Sequence, residues 1–140
     1  MNRKQVINNS FSIVFKLLST YTMFYFALPK LRGLPVSVTS FTQFGEVLGI
    51  SGTGFMYFTG SLELVTAFLL LISIFLKRRT GDYATVVGYL LLLGIMIGGL
   101  LTEYFVRVTP VPMLVGIAIL FVLIAVSQIW FKFKTICQHN

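Results

Sequence analysis

Histidine, cysteine and acid are all scarce in this sequence. There is one histidine, His139, and one cysteine, Cys137, both in the closing stretch KTICQHN, and only four acids in 140 residues. Disulfide exchange needs a pair of thiols. Haem or metal ligation within a membrane needs inward-facing His, Cys or Met partners. Neither set can be assembled from this chain alone. Charge of either sign is also rare, 11% of residues against 56% hydrophobic, with a mean hydropathy of +0.90. So little charge cannot cover the surface of a soluble domain.

What is present is apolar sequence in four long runs: about Ser10 to Pro29, Thr53 to Leu76, Ala84 to Thr102 and Pro110 to Phe131. Each approaches or exceeds the roughly 20 residues that cross a bilayer core as a helix. The expected fold is all-α, a single domain over residues 1–140 in which four transmembrane helices form an up-down bundle in contact with the lipid bilayer. The first run does not read as a cleaved signal. Lys16 interrupts it, and FALPKL closes it without a small-x-small cleavage pattern.

The net charge of +7 is a topology signal rather than a nucleic-acid footprint. Arg3 and Lys4 precede the first run, Lys77, Arg78 and Arg79 separate the second from the third, and Lys132 and Lys134 follow the fourth. Four spans bring these clusters to one side, against Lys30, Arg32 and Arg107 on the other. That bias places both termini in the cytoplasm and the protein in the cytoplasmic membrane.

The link between the first two spans carries its own pattern. Val38, Phe41, Phe44 and Val47/Leu48 recur at helical spacing among Thr39, Ser40, Thr42, Gln43 and Glu46. Pro35 near the start and Gly49 past the end suit a short amphipathic helix of about three turns. It either lies on the outer interface as an anchor or dips between the spans as a lid. The other links are short. Thr80, Gly81 and Asp82 supply turn chemistry to KRRTGDY.

Residues three, four and seven apart share a helix face. In the first span Asn9, Ser12, Lys16, Ser19, Thr20, Met23, Ala27 and Lys30 line one such face. In the second the stripe is Gly52, Met56, Thr59, Glu63, Thr66 and Leu70, and in the third Thr85, Gly88, Leu92, Met96, Gly99 and Glu103. The fourth is an uncharged wall whose polar site is Ser127-Gln128. Counting ~1.5 Å per residue from the inner boundary puts Lys16 at ~10 Å, Glu63 at ~20 Å, Glu103 at ~28 Å and Lys30 at ~31 Å. Glu63 is therefore close to mid-membrane, where an acid costs ~2.5 kcal/mol or more and normally faces the bundle interior. Two roles are open to it: a polar contact or proton relay in a cavity, or a hydrogen-bonded pin between helices. Lys16 either approaches Glu63, directly or through a water or hydroxyl, or snorkels to the inner surface. GIMIG, Gly94 to Gly98, is a close-packing surface for a homodimer or for the fourth span.

FKLLSTYTMFYFALPKL followed by FTQFGEVLGISGTGFMYFTGSLELVTAFLLLISIF resembles the DoxX family of small four-span membrane proteins. Lys16 stands at the family's basic residue in the first span, Lys30-Leu31 at its lysine-leucine pair, and Gly60 with Glu63-Leu64 at its glycine and glutamate-leucine pair. The resemblance covers about half the chain. It implies a non-catalytic membrane subunit, with a quinone- or lipid-like molecule as ligand and a redox-complex protein as partner. The ligand-binding candidates are Glu63, Lys16, Thr59, Thr66, Thr20, Glu103 and Lys30, with no catalytic or metal-ligating residue. The alternative is a membrane assembly factor or transport-like binder of a small hydrophobic molecule. A third, inert reading treats the polar stripes as inter-helix glue.

Overall fold

The computed structural model describes residues 2–138, so His139 lies outside the described residues. Five helices follow one another: α1 (Arg3–Leu31), α2 (Pro35–Leu48), α3 (Gly52–Phe75), α4 (Arg78–Phe105) and α5 (Pro112–Gln138). All but α2 are long and apolar enough to cross a membrane. The expected all-α architecture is what forms, with the short helix between the first two spans. Connections of a few residues force antiparallel neighbours. Accordingly α1 packs on α3, α3 on α4 and α4 on α5, while α1 meets α5 at few points. That seam is the open side of the bundle.

Local chemistry sets the helix ends. Gly33 (φ 62°) lets α1 stop: Leu34 N–H donates to Pro29 O at 3.0 Å and Gly33 N–H to Lys30 O at 3.2 Å. This is a Schellman closure. α2 stops the same way at Gly49 (φ 68°), with Ile50 N–H donating to Gly45 O at 3.1 Å. Pro35 occupies the first turn of α2, where its missing N–H costs nothing. Ser51 then caps α3 by accepting from Gly54 N–H at 3.2 Å.

The inward faces follow the polar stripes. Ser12, Lys16, Ser19, Thr20, Met23 and Ala27 of α1 are buried, as are Met56, Glu63, Thr66 and Leu70 of α3. Apolar packing concentrates in the middle of the bundle, around Met23, Leu70, Tyr89, Leu92, Phe121 and Ala125. Ser19 and Tyr89 are both fully buried there, and neither hydroxyl has a hydrogen-bond partner in the protein. Large side chains cover the outside, among them Phe11, Phe75, Leu123 and Trp130, as a lipid-facing surface requires.

Some details depart from the sequence reading, and Asn9 at the start of the α1 stripe is exposed. Gly99 is exposed rather than part of the α4 inner face. Gly94 and Gly98 do not pack against α5: both are exposed and a methyl group at either would touch nothing. Asp82 is not in a turn. The α3–α4 link is only Leu76 and Lys77, α4 starts at Arg78, and Asp82 is buried in its second turn.

α2 docks on α3 through Phe41, Phe44 and Gly45, with Ser37 also buried. Val38, Val47 and Leu48 of the same apolar pattern are exposed, as the interfacial alternative allows. Two glycines let the α2 and α3 backbones meet. A Cβ on Gly52 would lie 2.4 Å from Phe41 O, and one on Gly45 2.6 Å from Gly52 N. Gly52→Ala is therefore expected to cost about 1–3 kcal/mol by overpacking. The reading is faster proteolysis within α2 in detergent, and an unchanged cleavage rate would contradict the close approach.

Candidate functional site

Glu63 turns inward and is only 3% exposed. Its partner is Lys30, whose Nζ donates to Glu63 Oε1. Lys16 is not part of this arrangement. The depth count placed Lys30 ~11 Å beyond Glu63, and the packing shows why that was wrong. A methyl group on Gly60 would sit 3.0 Å from Lys30 Cβ, so Lys30 is level with Gly60, one turn from Glu63. α1 begins at Arg3 and projects past the end of α3. Counting from Ser10 put every residue of α1 more than a turn too far out. Side-chain direction closes the remaining gap. Helical side chains lean toward the N-terminus of their own helix. α1 and α3 are antiparallel, so Lys30 and Glu63 lean toward each other.

Aromatic rings complete the surroundings. Lys30 Nζ lies 6.0 Å from the Phe26 centroid and 5.7 Å from that of Phe41, which α2 contributes. A second ion pair stands beside the first. Arg107 Nε is 2.9 Å from Glu103 Oε1, and the guanidinium lies 5.3 Å from the ring of Phe44, again from α2. Glu103 Oε2 also accepts from Val111 N–H at 3.1 Å, tying the α4–α5 link to the same corner. Each buried phenylalanine of α2 thus covers a cation that is paired with an acid. Such contacts are worth ~0.5–2 kcal/mol each, more when desolvated. α2 is fastened to both ion pairs.

The hydroxyl candidates serve mainly their own helices. Thr59 donates to Phe55 O and Met56 O, and Thr66 to Leu62 O at 2.8 Å. Thr20 instead reaches across to Ala67 O at 3.5 Å, a long contact between α1 and α3. Glu63 Oε2 is buried without a hydrogen-bond partner in the protein. A buried polar oxygen left unmatched costs ~1–3 kcal/mol. It is therefore the atom in this region best placed to accept a hydrogen bond from something else.

The remaining candidate, Lys16, stands at the opposite end of the bundle, the end that holds both chain termini. It is 6% exposed and shares a recess with Asn9, Ser12, Ser73, Arg78, Asp82 and Lys132. Lys132 Nζ donates to Asp82 Oδ1 at 2.7 Å. Asp82 and Lys132 were absent from the sequence candidates. Both could have been found: Asp82 is three residues before Thr85 on the α4 stripe, and Lys132 four after Gln128. No group of three or more His, Cys, Asp or Glu residues able to hold a metal occurs among the described residues.

No family model, curated protein or solved structure matches this chain.

Proposed function

We propose that this is a DoxX-like integral membrane protein, non-catalytic by itself, that receives the polar head of a quinone- or lipid-like molecule beside Glu63. The single observation carrying this reading is the buried, unmatched Oε2 of Glu63. Lys30 holds the other oxygen and fixes the carboxylate in place. A lipid hydroxyl, or the hydroxyl of a reduced quinol, would donate to Oε2, and Lys30 would donate to a carbonyl. α2 covers this end and serves as the lid, since its two phenylalanines rest on the cations of both pairs. A redox partner protein would supply any electrons. The test is extraction in mild detergent followed by mass spectrometry of what co-purifies. Native protein should carry a quinone- or lipid-like molecule and Glu63→Gln markedly less. Both emerging empty would reject the reading.

The Lys30–Glu63 pair also favours a second reading, in which it fastens α1 to α3 and holds no ligand. Glu63→Gln would then lower stability while the co-purifying lipids of the two proteins stayed identical.

The excess of Lys and Arg at the end that carries both termini supports a cytoplasmic orientation of that end. Cys137 is free, exposed and the only cysteine, so it reports the side directly. A membrane-impermeant maleimide should label it only after the cells are opened; labelling of intact cells would invert the topology.

A further inference from the structure

We propose that the recess at the termini end is a binding site for a phosphate-bearing anion, separate from the Glu63 region. The recess has a volume of about 190 Å³, many times the roughly 10–15 Å³ that one water needs. Every spanning helix contributes to it: Ser12 and Lys16 from α1, Ser73 from α3, Arg78 and Asp82 from α4, and Lys132 from α5.

Charge is unbalanced there. Among the described residues, Lys16 and Lys132 line the recess with one carboxylate, Asp82, and Lys132 already engages its Oδ1 at 2.7 Å. None of the ion pairs among the described residues includes Lys16, although it is 6% exposed and within electrostatic reach of both Lys132 and Asp82. Buried charges are normally paired, and two ammonium groups lining one recess repel each other, a cost that an anion between them would relieve. Ser12 adds a second, independent sign. Its hydroxyl is buried, lines the recess and has no hydrogen-bond partner in the protein. Ser73 already donates to Leu70 O at 2.6 Å, so its oxygen is left as an acceptor. The donors still to be matched are the Lys16 ammonium and the Ser12 hydroxyl, and the first turn of α4, whose dipole favours negative charge, contains no acid.

A phosphate suits this set better than a carboxylate. It offers oxygens in several directions to donors arriving from different helices, and Lys binds it as a point charge. The level of the recess selects the source. Its floor is where α3 ends and α4 begins, Leu76 to Arg78, which is where a chain leaves the hydrocarbon layer and lipid phosphates reside.

The test uses the full-length protein in an uncharged detergent, with thermal unfolding followed on adding phosphatidylglycerol, phosphatidylcholine or inorganic phosphate, and native mass spectrometry to count retained lipid. Phosphatidylglycerol should stabilise the native protein and be retained, and Lys16→Gln should weaken that by about tenfold, the size of one lost charge-assisted hydrogen bond. Lys16→Arg should keep most of it, and Lys134→Gln, an exposed lysine at the same end outside the recess, should behave as native. A response to inorganic phosphate that is likewise lost in Lys16→Gln would assign the site to free phosphate; a response to the lipid alone assigns it to the headgroup. Equal responses of native protein and Lys16→Gln to every probe would overturn the site. So would a loss in Lys134→Gln as large as that in Lys16→Gln, because it would show general attraction to a basic surface.

Discussion

Lys30→Met destabilises the purified protein by about 3–5 kcal/mol, the cost of leaving a buried charge without its partner. Glu63 is 3% exposed, its Oε2 already lacks a hydrogen bond, and Lys30 is its ion-pair partner. Removing the ammonium group also removes its contacts with Phe26 and Phe41, so α2 loosens as α1 and α3 lose their tie. The double variant Lys30→Met/Glu63→Met should recover most of the loss. Replacing both members of a buried pair by apolar groups is frequently neutral or better, and neighbours of this kind are not additive. Unfolding in mixed micelles, with all four members of the cycle compared, measures the coupling. A single-variant loss below about 1 kcal/mol would make the pair no stronger than an exposed one.

The second large effect is at the other end. Asp82→Ala should cost about 1.5–3 kcal/mol, the range for a hydrogen bond between charged groups. Among the described residues, its carboxylate is the only one lining the recess with Lys16 and Lys132. The smaller figure reflects position, since lysines so near the membrane surface can bend toward water. Lys16→Met should be milder than Asp82→Ala, and should restore part of the stability when added to it, because it removes one of the stranded cations. If the two losses simply added, Lys16 and Asp82 would not share a field. Added phosphatidylglycerol should rescue Asp82→Ala more than native protein if the recess receives an anion.

Much of the inner surface is legible in the sequence. The stripe from Ser12 to Ala27, and Met56, Glu63, Thr66 and Leu70 of the second with Thr59 half-buried, turn inward as their spacing requires, because a helix in lipid must hide its polar positions or lose free energy. Pro35 and Gly49 marked the limits of α2 through backbone geometry that belongs to those residue types. What misled was counting from an assumed boundary. α1 extends beyond the membrane-length run it contains, so its register against α3 could not be read from its own sequence.

Sequence alone determined the number of apolar helices, the faces they bury and the expectation that Glu63 points inward. Those properties follow from periodicity and from the cost of polar groups in hydrocarbon, and both are local. Only the tertiary structure decided which cation meets which acid: Lys30 with Glu63, Lys132 with Asp82, and Lys16 with neither. That choice depends on how far one helix slides along another. Here the slide is set by where small residues let backbones close, above all Gly60 against Lys30 and Gly52 against Phe41, contacts between segments that are distant in the chain.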